Sequence, residues 1–202
     1  MNALQIICGA MGYFRKLPFL PKKILLALYR LIADGEPVDK AALALRAGVN
    51  EAEVSNVLDS LPPSNIVFDQ NGRITGYRGL SLLPSRHRLL SKSVQLYAWC
   101  AFDCLFLPEL LGQSMEVHST CPGTGEEIYL LLEPGRVEKV FPETVFVSFV
   151  TPQLNDYQDD LRGNFCCHVN FFSSEKAGLD WTQAHGGSVI VGLEGRCCRT
   201  SS

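Results

Sequence analysis

The 202 residues are 47% hydrophobic, enough to bury a core in one domain or two small ones, and this excludes a disordered chain. The formal net charge of -3, with acids and bases interspersed, gives no electrostatic footprint for nucleic acid or an anionic membrane surface. No apolar run approaches the roughly 20 residues of a membrane span, so neither nucleic acid nor a membrane is an expected partner.

The opening run Met1 to Cys8 is apolar, but no basic region precedes it and Arg15-Lys16 interrupts it short of a signal peptide. Eight cysteines include two vicinal pairs, a pattern that suits reduced thiols better than bridges, so a cytoplasmic location is expected. Ile24, Leu28 and Leu31, with Leu25 and Ile32 beside them, recur at helical spacing ahead of Gly35. A second helix is expected from the N-cap Asp39 to Gly48. A third follows from the capping-box pattern of Asn50 and Glu53 and ends before Pro62-Pro63. Ile66-Val67-Phe68 and Ile74-Thr75-Gly76-Tyr77 flank Asp69 to Arg73, a hairpin signal built on Asn-Gly.

Three helices and a hairpin over residues 1–80 predict a winged-helix-like module. A DNA-reading role is disfavoured, because the third helix carries Glu51, Glu53 and Asp59 but no Lys or Arg. From Val94 to Phe106 the chain is apolar on nearly every side, which predicts a buried helix. Strands are expected at Ile128 to Leu132, Val137 to Phe141, Val145 to Val150 and Phe165 to Phe172. A helix is expected from Glu175 to His185 after Ser173-Ser174, and a last strand from Ser188 to Leu193. The fold class is therefore α+β, with residues 81–202 forming a second domain of antiparallel strands packed with helices.

Within the expected buried helix, Cys100 and Asp103 are three residues apart and share a face. Burial disfavours an ionised carboxylate, so Asp103 should hold a proton more readily than an exposed aspartate or take one from a neighbouring thiol. The plainer alternative is an aspartate hydrogen-bonded to backbone or to Tyr97. Cys104, one turn after Cys100, is either a further ligand for the same ion or a small core residue. In the second thiol segment, a strand would turn Cys166, His168 and Asn170 one way and Cys167 the other. Trp99, Phe102, Phe106 and Phe165 are the candidate pocket walls.

The run Leu96-Tyr97-Ala98-Trp99-Cys100-Ala101-Phe102-Asp103, followed by Phe106-Leu107-Pro108 and Leu111-Gly112, resembles the active-site helix of the organomercurial (alkylmercury) lyases. Phe165-Cys166-Cys167-His168-Val169-Asn170-Phe171-Phe172, with Asp180-Trp181 and His185, resembles that family's second motif, and Cys121-Pro122-Gly123-Thr124-Gly125 matches a further family cysteine. The resemblance is clearest from Tyr77 to Leu193. It implies that 81–202 is the catalytic domain, that Cys100 and Cys166 are the mercury-binding thiolates and that Asp103 is the acid. Cys167 and Cys104 are then secondary candidate ligands and Cys121 is structural. The implied reaction is protonolysis of a carbon–mercury bond, giving a hydrocarbon and Hg(II). The expected partners are an organomercurial substrate, cytosolic thiols and a mercuric reductase that accepts the product. No organic cofactor is expected, since Hg(II) is bound as product. Cys197-Cys198 is a candidate mercury-passing pair near the end of the sequence, where further helical sequence was expected.

A competing reading is a thiol-based soft-metal protein or a mercury or copper sensor without catalysis. It needs the cysteines but gains nothing from a buried acid beside Cys100. Zinc is disfavoured by the absence of C-x-x-C spacing.

Overall fold

The computed structural model describes residues 16–150, 160–186 and 188–193; the Cys197-Cys198 pair and the Met1 to Cys8 run lie outside them. Helix α1 (Phe19–Ala33) buries Ile24, Leu25, Leu28, Tyr29 and Ile32 along one stripe. Helix α2 (Lys40–Ala47) starts at Asp39, whose carboxylate accepts the Ala42 N–H at 2.7 Å. It stops at Gly48, whose left-handed φ of 60° a side chain would oppose. Helix α3 (Glu51–Asp59) has the expected capping box: Asn50 Oδ1 accepts from the Glu53 N–H, and Glu53 Oε2 accepts from the Asn50 N–H, both at 2.9 Å.

The hairpin follows as β1 (Ile66–Phe68) and β2 (Ile74–Tyr77), closed by Asp69. It does not stand alone. Strand β2 pairs with β3 (Leu80–Ser81), and β3 pairs with β5 (Val94–Ala98), which forms a hairpin with β4 (His87–Ser91). With β6 (Met115–Thr120), β7 (Glu127–Glu133) and β8 (Arg136–Phe141) these make an eight-stranded antiparallel sheet, in the order β1-β2-β3-β5-β4-β6-β7-β8. Between β5 and β6 runs helix α4 (Ala101–Leu111), which packs on β4, β5 and β7. A smaller antiparallel sheet, β10-β9-β11, is formed by β9 (Val145–Val150), β10 (Phe171–Phe172) and β11 (Ser188–Leu193). It is covered by helix α6 (Glu175–Ala184), and the four-residue helix α5 (Leu161–Asn164) precedes the second cysteine segment. The core is continuous from Ile24 and Leu28 through Leu89, Leu96, Val117 and Leu130 to Val147 and Phe171, all fully buried.

Two expectations are corrected. The apolar run Val94 to Phe106 is not one helix: its first five residues form β5, and α4 begins only at Ala101. Lys92 and Ser93, both at positive φ, turn β4 tightly back on itself. That turn commits Val94–Ala98 to pairing with β4 on one side and β3 on the other. Leu96 and Ala98 face the core while Gln95 faces out, but this short alternation runs into the helix with no Gly or Pro between, so periodicity does not separate the two. The run Phe165 to Phe172 is likewise not one strand. Cys166–His168 is a 3₁₀ turn, and only Phe171–Phe172 joins β9. Strands β3, β4 and β6 were not anticipated, because each is short or interleaved with charged residues.

Leu89 lies fully buried in β4 between the pairing strands β5 and β6. Leu89→Ala is expected to lower stability by about 2–5 kcal/mol, read from the denaturant midpoint at unchanged m-value.

Candidate active site

Strand β5 delivers the first thiol. Trp99 donates its N–H to the Gly79 carbonyl at 2.9 Å as the chain leaves the sheet. Cys100 then stands at the N-cap of α4 in extended conformation. Its N–H donates to Asp103 Oδ2 at 3.0 Å, in a capping-box arrangement with a thiol where a hydroxyl is usual. The close spacing of Cys100 and Asp103 therefore does bring them together, through the first turn of a helix rather than its middle. Both are buried.

The second thiol comes from far along the chain. Asp160 Oδ1 accepts from the Gly163 N–H at 3.0 Å and opens α5; His168 N–H then bonds to the Phe165 carbonyl, and Val169 N–H to that of Cys166. This winding turns Cys166 inward, 6% exposed, and leaves Cys167 exposed. Ser148 of β9 pins the segment: its hydroxyl donates to the His168 carbonyl at 2.7 Å and accepts from the Asn170 N–H at 3.0 Å. A backbone bond joins the two halves, from the Ala101 N–H to the Val169 carbonyl at 3.1 Å. As a result, the Cys100 sulfur, an Asp103 carboxylate oxygen and the Cys166 sulfur all lie within 4.8 Å of one another.

Burial pushes the Asp103 carboxyl up to about 6. Hydrogen bonds from Cys100 and the charges of Arg78 and Arg162 pull the other way without cancelling it. Burial also pushes the Cys100 thiol well above the usual range, reinforced by its hydrogen bond with Cys166 and by the Asp103 charge. A buried acid poised near neutrality thus sits beside a thiol that keeps its proton until something replaces it.

Of the three groups, Cys166 faces a cleft of about 380 Å³, lined also by Ser81, Pro84, Trp99, Arg162 and Cys167. The Arg162 guanidinium lies 3.9 Å from the centre of the Trp99 ring, a cation–π contact at the mouth. Of the other expected wall residues, Phe102 contacts Phe165 and Phe106, with centroids 5.7 and 5.5 Å apart.

Cys104 and Cys167 are not among the three converging groups. Cys104 donates its thiol back to the Cys100 carbonyl at 3.4 Å, and burial raises its pKa well above the usual range. Cys167 donates to the Gly163 carbonyl at 2.6 Å. Cys121 sits in the tight turn between β6 and β7. There, hydrogen bonds with Thr124 and Ser173 outweigh the effect of burial and hold the thiol below its usual range.

Sequence reasoning missed Gly79, Arg162 and Ser148. Gly79 has φ +100° and packs directly on Asp103, so that a Cβ there would overlap the carboxyl group. Its signal was only a glycine just after a predicted hairpin. Arg162 and Ser148 carried no motif of their own.

A family model described as Alkylmercury lyase matches residues 80–196, a span that holds all three converging groups. The chain belongs to the alkylmercury lyase family. It is 41% identical to the alkylmercury lyase of Staphylococcus epidermidis over 167 residues, covering 83% of this chain and 74% of that protein. It is 36% identical to the alkylmercury lyase of Pseudomonas putida over 171 residues, covering 85% and 78%. Among solved structures it is similar to the mercury-bound form of MerB2, with a TM-score of 0.74 and 27% identity over 94% of this chain and 91% of that one. The mixed architecture of antiparallel sheets and helices is thus an alkylmercury lyase architecture.

Asp103 rises from 3.8 to about 6 on folding, so the native state binds its proton more firmly than the unfolded chain does. Its stabilising contribution is full below about pH 4 and lost as pH rises through about 6, about 3 kcal/mol in all. Asp103→Asn should flatten the stability profile between pH 4 and 7, and equal slopes in the two proteins would contradict the shift. Gly79→Ala is expected to cost about 1–3 kcal/mol in chemical denaturation.

Proposed function

We propose that this chain acts as an organomercurial lyase in which Cys100 and Cys166 bind the mercury of the substrate and Asp103 carries the proton to carbon. The observation that carries this reading is the convergence of two buried sulfurs and one buried carboxylate at a single point. Mercury is a soft ion, so thiolate outcompetes nitrogen and oxygen donors for it. One thiolate leaves the carbon weakly activated. A second pushes electron density through mercury onto carbon until the carbon accepts a proton.

In the proposed cycle, one thiol replaces the substrate's leaving ligand, which departs with a proton. The second thiol passes its proton to Asp103 as its sulfur binds mercury. Asp103 then delivers that proton to the carbon, the electron pair of the carbon–mercury bond becomes the new carbon–hydrogen bond, and the hydrocarbon leaves. Hg(II) stays on Cys100 and Cys166. A carboxyl near 6 suits both halves of this transfer, accepting from a thiol and remaining acidic enough to donate. Arg162 and Trp99 line the approach to the sulfurs, where the aromatic face suits an alkyl or aryl group.

Product release by ligand exchange with small cytosolic thiols or a mercuric reductase needs no organic cofactor. Exposed Cys167 and buried Cys104 are assigned secondary parts at most. We assign residues 1–80 as a winged-helix-like module with a structural or lid-forming role and 81–202 as the catalytic domain. The absence of Lys and Arg from α3 supports a module that does not read DNA. No described helix is long and apolar enough to cross a membrane, in keeping with a cytoplasmic assignment. A soft-metal store or sensor would need the sulfurs alone, and Asp103 buried beside Cys100 favours the enzyme over it.

The test is hydrocarbon release into the headspace from phenylmercury with excess thiol. The wild type is expected to release benzene over many turnovers, and Cys100→Ser or Cys166→Ser to abolish release. Asp103→Ala should still bind mercury but cleave about 10²–10⁴-fold more slowly. Stoichiometric binding with no benzene would favour the store, and an unchanged rate in Asp103→Ala would place the acid elsewhere.

A further inference from the structure

The outward face of the large sheet carries a second cleft of about 260 Å³, separate from the thiol site. The strand register builds it: Arg88 of β4 stands opposite His118 of β6, His118 opposite Tyr129 of β7, and Tyr129 opposite Phe141 of β8. These four line the cleft as one cross-strand row, and Arg86, two residues before Arg88, lines it with them.

The cations in this row are only weakly paired. Arg88 makes no ion pair among the described residues. Arg86 donates to a neutral acceptor, the Asn170 amide oxygen, at 2.9 Å. Acids are present but weakly engaged: Glu127 lines the cleft, and Glu116 reaches His118 only at 3.9 Å. Beside the cations stand Ile128, Tyr129 and Phe141, the last 62% exposed, a high value for a large aromatic residue. Two guanidiniums favour a carboxylate, which each can grip with two parallel hydrogen bonds, and the aromatic wall favours an apolar body attached to it.

Arg86 also leads inward. Its acceptor Asn170 donates through Nδ2 to the Cys167 carbonyl at 3.2 Å, so one short chain of bonds runs from the cleft to the backbone of the second thiol segment. We propose that this cleft binds a small carboxylate with an apolar body, and that its occupancy reaches the Cys166–Cys167 segment through Arg86 and Asn170. A ligand that draws Arg86 toward itself weakens the Arg86–Asn170 bond and loosens the hold on the Cys167 carbonyl.

Benzoate and inorganic phosphate, titrated calorimetrically into the mercury-free protein, serve as probes, so the outcome is independent of the lyase reading. Benzoate is expected to bind saturably, more tightly than phosphate, and at least tenfold more weakly to Arg88→Ala. Arg88 is exposed, which leaves that variant free to fold, and its unfolding midpoint checks this. Bound benzoate should change the rate at which iodoacetamide alkylates Cys167, resolved by fragment mass spectrometry, at least twofold in the wild type but not in Arg88→Ala. Absence of saturable benzoate binding, or equal binding by Arg88→Ala, overturns the site. Phosphate binding as tightly as benzoate overturns the apolar part of the assignment, and binding without a change at Cys167 overturns the link.

Discussion

The Ala101 N–H bonded to the Val169 carbonyl ties the first turn of α4 to a segment more than sixty residues further along the chain. Neither partner takes part in chemistry, yet the bond helps to hold the two sulfur-bearing segments together. Ser148 reinforces it by holding the carbonyl of His168 and the N–H of Asn170 from β9. The smaller sheet thus places Cys166, and the large sheet places Cys100 by ending β5 at Ala98. The site lies where the two sheets meet.

That placement imposes an electrostatic cost which the proposed reaction uses. A carboxyl enclosed by Gly79, Cys100 and the start of α4 is poorly solvated, and its pKa rises although Arg78 and Arg162 oppose the rise. Without the Cys100 hydrogen bonds and the two arginines, burial alone would make the acid hold its proton more firmly. In open water it would not hold one at neutral pH. The intermediate value follows from burial opposed by the hydrogen bonds with Cys100 and the charges of Arg78 and Arg162. Gly79 makes this enclosure possible, because any side chain at that position would occupy the space of the carboxyl group.

Much of the N-terminal part was legible because its signals are local. Asp39, Gly48 and the Asn50–Glu53 box act within four residues of themselves, and the structure has each cap where the sequence puts it. The strands from β7 to β9 and β11 were legible for a related reason, since apolar runs bounded by Pro, Gly or Asn mark their own ends. Val94–Ala98 was not. Its five residues alternate between buried and outward positions but run into the helix with no Gly or Pro between, and only the positive-φ turn at Lys92-Ser93 reveals that the strand folds back on β4. The segment from Phe165 to Phe172 failed for the opposite reason: its composition suits a strand, but bonds from Ser148 and Ala101 take up its carbonyls.

The sequence by itself paired Cys100 with Asp103, because they are close enough along the chain for one turn of backbone to join them, and it marked Cys166 by a motif that resembles the family's second. It also determined that Cys167 and Cys166 would differ, though not by which winding. The tertiary structure alone decided that Cys166 faces Cys100, that Gly79 closes over the acid and that Arg162 stacks on Trp99. Each of these relations joins residues far apart in the chain. No local propensity encodes such a pairing, and it exists only once the two sheets have packed.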